Sequence, residues 1–361
     1  MSKTRIVEVD RDRPDPEAIA EAAHMLRDGK LVVFPTETVY GLGAHALDPI
    51  AVQKIFDAKE RPSTDPLIVH IAHIGQVNQC AAGMPAGARK LGLSFWAGPL
   101  TLILQKKPAV PDLVTAGLPN VALRVPSHRV ARALMETAGI PIAAPSANRF
   151  SKPSPTSAAH VIEDLDGRVD LILDGGPTDI GLESTIVDFT VDPPVLRRPG
   201  GITFEQIHSL VPEVIVQSAQ AGLAEAQIAP GQMTRHYAPR AEVTLYEGPS
   251  DAVVRQVADE LRSLTASGHR VGVLAPQEDL SALAPEIAAR AASGRIETIP
   301  YGSRADLERC GRELFASMRQ LDATGVAKIL AVGVGSEGLG RAIHDRLMRA
   351  AEGKLKVVVK D

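Results

Sequence analysis

From Val243 onward, strand-like and helical runs alternate with a regularity that leaves few folds open. Apolar, β-prone stretches at 243–247, 271–275, 296–300 and 328–334 are separated by helical patterns at 250–266, 281–292, 303–321 and 340–351. Each helix brings the chain back to start the next strand in the same direction, so the pattern predicts βαβ units and a parallel sheet. The glycine-rich stretch Gly333-Val334-Gly335-Ser336-Glu337-Gly338-Leu339-Gly340 precedes the last helix. Its backbone N–H groups can hold a phosphate, but the spacing matches neither a dinucleotide fingerprint nor a P-loop.

The sequence before Val243 has a different rhythm. Asp15-Pro16-Glu17 and Asp48-Pro49 are helix starts, each a capping acid followed by proline at the first helical position. Between the helices they open lies Leu31-Val32-Val33-Phe34, a buried strand stopped by Pro35. Further strand-like runs occur at 67–71, 101–104, 121–125, 140–144, 171–176, 184–188 and 195–200, with a helical region at 74–96 and helices at about 128–138 and after 156. Strands and helices mixed this closely, several strands carrying proline, predict an α/β fold with a mixed sheet. A break falls between about 211 and 242. The expected division is 1–210, a connecting segment at 211–242 and 243–361.

Composition excludes several classes. A 45% hydrophobic content with 23% charged residues describes a globular chain, and 3% aromatics make its core aliphatic. The net charge of −4 gives no global reason for nucleic-acid binding. Cys80 and Cys310 lack Cys or His neighbours at ligand spacing, which argues against zinc and against a disulfide framework. The N-terminus lacks the apolar segment of a secretory signal and no apolar run is long enough for a membrane helix, so a cytoplasmic location is expected.

The polar loop Pro35-Thr36-Glu37-Thr38-Val39-Tyr40-Gly41-Leu42-Gly43 follows the first apolar strand. Two readings stand: an ordinary strand-to-helix turn, or a ligand loop whose glycines admit close approach or positive φ. Thr36, Thr38, Lys59, Arg61, His70, Arg124, Ser146, Asn148, Ser154, Ser184, Thr185 and Arg198 all lie on polar loops or beside apolar runs. Cations outnumber acids in this set, which suits an anionic ligand. Lys59 and Arg61 can face one anion from a single loop. Arg124 lies within an apolar strand and must be paired, with a ligand or in a structural salt bridge. His70 is either a satisfied core histidine or functional, and Asp174, Glu183 and Asp188 can hold Mg²⁺ together with substrate phosphates. No nucleophile–base pair stands out. The residues alone point to an anion-binding, nucleotide-using enzyme that works by positioning.

The loops taken together resemble the long-form threonylcarbamoyl-AMP synthases, which couple a YrdC-type domain to a smaller C-terminal domain. The matching segments are PTETVYGLG (35–43), KERPSTDPLIVHI (59–71), ALRVPSH (122–128), APSAN (144–148) with SKPSPT (151–156), ESTIVD (183–188), RRPGGIT (197–203) and MTRHYAP (233–239), in the family's order. GLGRAIHDRLMRAA (338–351) resembles the family's tail domain.

The resemblance implies a YrdC-like twisted mixed sheet with a large concave cavity, followed by a smaller Rossmann-like three-layer α/β domain. It implies that L-threonine, bicarbonate and ATP give threonylcarbamoyl-AMP and pyrophosphate. The product feeds a downstream transferase that modifies position 37 of tRNA. It places Thr38, His70, Arg124, Ala144 and Ser184 on threonine. On ATP it places Lys59, Arg61, Asp65, Asn120, Ser146, Asn148, Ser154, Arg198 and Tyr237. Mg²⁺ is expected to arrive with ATP, with no zinc and no organic prosthetic group. Arg235, His236 and Tyr237 are expected to close over the cavity as a lid, with Tyr40 a cavity wall and the glycines of the 35–43 loop running close beneath threonine. One departure stands out: the family loop often carries Asn where this chain has Asp65, and an acid repels a triphosphate.

Two other readings compete. Carbamoyl transfer in hydrogenase maturation uses a related domain, but in chains with zinc-ligand cysteines. An RNA-binding module is the other, and low aromatic content with an acidic balance weighs against it.

Overall fold

The structure is a computed structural model that describes residues 3–216, 229, 236–290 and 294–359. The chain divides into two compact units. The first comprises Met1–Phe150, Ser154–Asp179 and Glu183–Met233; the second comprises Ser151–Pro153, Ile180–Leu182 and Thr234–Asp361.

Local sequence sets where the first unit's helices begin. The Asp15 carboxylate accepts from the N–H groups of Glu17 and Ala18, Pro16 follows at the first position, and the helix Pro16–Arg27 buries Ile19, Ala22, Ala23 and Leu26. Asp48 and Pro49 start the helix Pro49–Lys59 in the same way. Gly139, in the left-handed region at φ 67°, ends the helix Arg129–Ala138.

Among the described residues, the first unit's strands form one eleven-stranded sheet. In chain order they are β1 (Arg5–Glu8), β2 (Val32–Phe34), β3 (Gly41–His45), β4 (Ile68–His70), β5 (Leu100–Gln105), β6 (Asn120–Arg124), β7 (Ile142–Ala143), β8 (Leu171–Asp174), β9 (Thr185–Asp188), β10 (Val195–Arg198) and β11 (Ile215–Val216). Their order across the sheet is β1-β8-β2-β3-β7-β4-β6-β5-β9-β10-β11. Pairing is mixed: β4 runs parallel to β6 and β5 parallel to β9, whereas β2–β3, β5–β6 and β9–β10 are antiparallel. The mixed sheet expected from proline-bearing strands is therefore present.

One face of this sheet changes character along its width. Over β8, β2 and β7 it carries Leu171, Leu173, Val32, Phe34 and Ile142, and the helices Pro16–Arg27 and Arg129–Ala138 cover it with Ile19, Leu26, Val130 and Leu134. His70 lies directly opposite Ile142, so β4 continues the same face. From β4 outward the face turns polar, and the candidate residues lie there.

The second unit holds the expected parallel sheet. Its strands β12 (Glu242–Glu247), β13 (Val271–Ala275), β14 (Ile296–Pro300), β15 (Lys328–Val332) and β16 (Leu355–Val357) take the order β14-β13-β15-β12-β16. Val253, Val257, Leu261 and Leu283 pack with Tyr246, Val271, Val273 and Val332 on one face. The other face receives the helix Leu307–Ala323, and a Cβ on Gly272 would sit 2.8 Å from Leu321. Ser151–Pro153 joins this unit through hydrogen bonds from Ala238 N to Ser151 O (2.7 Å) and from Arg319 Nη2 to Pro153 O (2.5 Å).

Several local expectations are corrected. The helical region at 74–96 is broken into Ile74–Gln76, Val77–Cys80 and Ala86–Phe95. The helix expected at 281–292 runs over Gln277–Ala288. β1, β11, β16 and the helix Phe204–Leu210, unread in the sequence, are short elements. Gly41 and Gly43 belong to β3 and have no positive φ. A Cβ on Gly43 would lie 2.8 Å from the Phe34 ring and 3.0 Å from Ile142, so that glycine serves packing between neighbouring strands.

The glycine-rich stretch at 333–340 is no open phosphate cradle. The Glu247 carboxylate sits 2.5 Å from where a Gly333 Cβ would be and 2.6 Å from His344 Nδ1, so an acid already lies beside that turn.

Candidate active site

A row of side chains crosses the polar face at one level. In register, His70 on β4 faces Arg124 on β6, Arg124 faces Thr101 on β5, Thr101 faces Ile186 on β9, and Ile186 faces Arg198 on β10. Directly opposed residues point to the same side, so these five share one face. Two residues along, Ile68, Ala122 and Ile103 form an apolar strip with Ile186. Ala229 joins that cluster, which brings part of the connecting segment onto this face. Beyond the strip stands Asn120.

Arg124 is buried within β6, and its partner is Glu37 from the loop after β2. Arg124 Nη2 lies 2.6 Å from Glu37 Oε1, and the other carboxylate oxygen accepts from Ser127 N at 3.0 Å. The structural salt bridge weighed for Arg124 therefore exists, and it leaves Arg124 Nε buried with no acceptor. Burial and the Arg124 charge push the His70 imidazole down to about 3. His70 is accordingly neutral at physiological pH, and its buried Nδ1 has no hydrogen-bond partner. The Phe34 ring meets it edge-on at 6.4 Å.

Ser184, just before β9, is fully buried. Its hydroxyl lies 2.7 Å from Thr101 Oγ1, and its carbonyl accepts from Arg198 Nε and Nη2 at 3.1 Å. This close packing depends on Gly200: a Cβ there would stand 2.4 Å from both Glu183 O and Thr185 N.

The 35–43 segment is a built turn that also brings Glu37 to Arg124. Thr36 Oγ1 accepts from Thr38 N and Val39 N at 3.2 Å and lies 2.8 Å from the buried Thr38 hydroxyl. Tyr40 is buried and donates to Gly176 O at 2.7 Å, so it braces the loop; burial and Asp174 raise its phenol pKa. Backbone bonds from Tyr40 to Pro155, Leu42 to Pro145 and Ala147 to Tyr40 stitch this segment to the loop after β7. Ala144, Ser146 and Asn148 stand on that loop, and Ala144 N donates to Ile68 O at 2.9 Å.

The two loop cations do not face one open anion site. Buried ammonium and guanidinium groups require acceptors, and each finds them in the protein. Lys59 Nζ donates to the carbonyls of Ser146 (2.5 Å) and Asn148, and thereby ties down the loop after β7. Arg61 turns back on its own loop, donating to Asp65 O (3.1 Å) and Pro66 O (2.8 Å) and pairing with the Asp65 carboxylate at 2.9 Å. Asp65 is fully buried in that pair, so the repulsion expected of it is offset by Arg61. Asn148 donates to Arg149 O, and Ser154 Oγ donates to Glu183.

Asp174, Glu183 and Asp188 are not gathered into a cation site. Asp174 receives Gly176 N, Glu183 receives Ser154, and Asp188 receives Arg197 and Thr190. No metal-ligand cluster occurs among the described residues. Arg235 lies outside the described residues. His236 and Tyr237 lie in the second unit, where Tyr237 stacks on Phe315 at 5.2 Å and lies beneath the Arg346 guanidinium at 5.4 Å.

Sequence reasoning missed Glu37, the partner of Arg124, and Thr101, the partner of Ser184. The requirement that a buried arginine be paired signalled some partner for Arg124. Nothing local singled out an acid 87 residues away.

Known proteins align with this arrangement over nearly the whole chain. A threonylcarbamoyl-AMP synthase of Pyrococcus abyssi is 45% identical, with 94% of this chain and 96% of that protein aligned. The chain belongs to the threonylcarbamoyl-AMP synthase family. The Bacillus subtilis member is 44% identical over 94% of each chain. Residues 24–200 match the family model described as telomere recombination, and residues 202–352 match the threonylcarbamoyl-AMP synthase C-terminal domain. The crystal structure of P. abyssi Sua5 complexed with L-threonine superimposes with a TM-score of 0.90 and 44% identity, covering 98% of this chain and all of that one (100%). Among the described residues, no helix is long and apolar enough to cross a membrane.

Proposed function

We propose that this chain is an L-threonylcarbamoyladenylate synthase, a nucleotidyltransferase that converts L-threonine, bicarbonate and MgATP into threonylcarbamoyl-AMP and pyrophosphate. Arg124 carries the reading. It is an arginine buried at the end of β6 with one N–H lacking an acceptor, beside an imidazole held neutral. That pair suits an amino acid: the guanidinium takes the carboxylate, and the uncharged imidazole hydrogen-bonds without repelling the ammonium or amine. A relative solved with L-threonine supports the assignment.

The chemistry asks for positioning. The amine of threonine attacks the carbon of bicarbonate and water leaves, giving a carbamate. A carbamate oxygen then attacks the α-phosphorus of ATP, and the bond to the β-phosphate oxygen breaks as pyrophosphate departs. Thr38, Ala144 and Ser184 frame the amino acid beside Arg124 and His70. Lys59, Ser146, Asn148, Ser154 and Arg198 build the loops that receive the nucleotide, with Arg61 and Asp65 as a buried pair behind them. His70 has no titration near neutral pH to offer, so orientation and charge stabilisation supply the rate enhancement. Mg²⁺ belongs to the ATP substrate. The product serves a downstream transferase in tRNA threonylcarbamoyladenosine modification, which places the protein in the cytoplasm with ATP and tRNA.

The test is pyrophosphate release from ATP by the purified protein, with the acyl adenylate identified by mass. Release that requires both threonine and bicarbonate is expected. Release that ignores either one, or no release at all, refutes the reading.

A further inference from the structure

Two tripeptides from the first half of the chain are built into the second unit. Ser151–Pro153 and Ile180–Leu182 group with Thr234–Asp361, although the residues flanking each belong to the first unit. One helix of the second unit, Leu307–Ala323, holds both. Arg319 on that helix is buried, and its Nη2 donates to Pro153 O at 2.5 Å. Two turns earlier, Arg312 lies against the other tripeptide. A Cβ on Gly181 would stand 2.4 Å from Arg312 O and 2.5 Å from its Cα. Beside it, Gly311 makes room for Leu182, whose Cδ1 would be 3.0 Å from a Cβ there. Residues seven apart fall on one stripe of a helix, so this helix meets both tripeptides along a single face.

Both tripeptides turn where they are held. Gly181 has φ 73° and Ser151 has φ 65°, in the left-handed region. Glycine enters that region freely, whereas a serine stays there only where its surroundings hold it. Ser151 O accepts from Ala238 N at 2.7 Å.

The chain then passes from each tripeptide straight into the candidate site. Pro153 is followed by Ser154 and Leu182 by Glu183, and the buried Ser154 hydroxyl donates to the Glu183 carboxylate. The helix therefore fixes the chain one residue short of each end of that hydrogen bond. Ser184, which bonds Thr101 and Arg198, comes next. Planar peptides of fixed length join these residues, so a shift at Pro153 or Leu182 is carried into Ser154 or Glu183.

We propose that the helix Leu307–Ala323 is a positioning element of the active site. Arg319 sets Ser154, and the seat of Gly181 and Leu182 on Arg312 and Gly311 sets Glu183 and Ser184. The assignment rests on the proposed binding of ATP and L-threonine and extends it to residues of the C-terminal domain, which act on the ligands through two loops.

Calorimetric titration of the full chain with ATP and, separately, with L-threonine tests this. Arg319→Met deletes the donor to Pro153 O. It is expected to weaken ATP binding roughly tenfold, the loss of about one hydrogen bond from a charged group, and to leave threonine binding within about twofold. Arg319→Lys keeps a cationic donor and is expected to recover most of the ATP affinity. Gly181→Ala must lift its loop off Arg312 and is expected to weaken threonine binding roughly tenfold. Leu321→Ala is the control. Leu321 lies on the same helix but packs on Gly272 of β13, so its truncation lowers stability and is expected to leave both affinities within about twofold. Unchanged ATP binding by folded Arg319→Met, unchanged threonine binding by folded Gly181→Ala, or an equal loss in Leu321→Ala overturns the inference, as does wild-type protein that binds neither ligand. If Arg319→Met does not fold, Gly181→Ala decides by the same criterion. Binding that follows the expected pattern without threonine-dependent pyrophosphate release would refute the proposed function and leave the role of the helix standing.

Discussion

Arg124 and Glu37 stand 2.6 Å apart, both buried, one at the end of β6 and the other on the loop that follows β2. The pair sets where the guanidinium points. Removing one member of a buried ion pair leaves the other uncompensated, at a cost of about 3–5 kcal/mol. Glu37→Ala is therefore expected to lower stability by that order and to raise the KM for threonine at least about tenfold. Glu37→Gln keeps an acceptor for both donors and should lose less. Thermal denaturation with steady-state kinetics reads both quantities. A folded Glu37→Ala protein with unchanged threonine KM would remove Glu37 from the site.

Lys59 is a tie more than a free charge. Its ammonium bonds two carbonyls of the loop after β7. Lys59→Met keeps the stem and deletes the donors, leaving those carbonyls unsatisfied at a cost of about 3 kcal/mol. The KM for ATP should rise, because Ser146 and Asn148 are no longer held. Unchanged unfolding and unchanged KM would show that the loop holds itself.

The low His70 pKa makes stability pH-dependent in a definite direction. The folded state holds the ring neutral down to about 3, whereas the unfolded ring titrates near 6.5. Between these values the unfolded state binds more protons, so stability rises with pH there. The contribution is complete above about pH 6.5 and is lost as pH falls toward 3, at about 1.4 kcal/mol per unit. His70→Gln should flatten this acid limb in urea unfolding at stepped pH. An equally steep limb in the variant would assign it to other groups.

Gly200 is required by close approach and not by its dihedral. A methyl group there would press on the backbone of Glu183 and Thr185 and push Ser184 from Thr101 and Arg198. Gly200→Ala is expected to cost about 1–3 kcal/mol as an overpacking change and to impair threonine binding more than ATP binding. Separate KM values for the two substrates decide it. Equal impairment would mean that the displacement reaches the nucleotide loops.

Much of the architecture is legible without coordinates. Capping acids and prolines at Asp15-Pro16 and Asp48-Pro49 act within one turn, so those helix starts can be read locally. Strand–helix alternation after Val243 carries the parallel sheet, because periodicity and crossover length are properties of neighbouring residues. The ordered loop motifs identify the family. Tertiary structure alone decides that Glu37 answers Arg124, that Lys59 ties the loop after β7, and that Asp65 is balanced by Arg61. These partnerships join residues far apart in the chain through strand register and loop closure. A side chain's charge and length say only that a partner is needed; which group supplies it depends on where the sheet places the other strands.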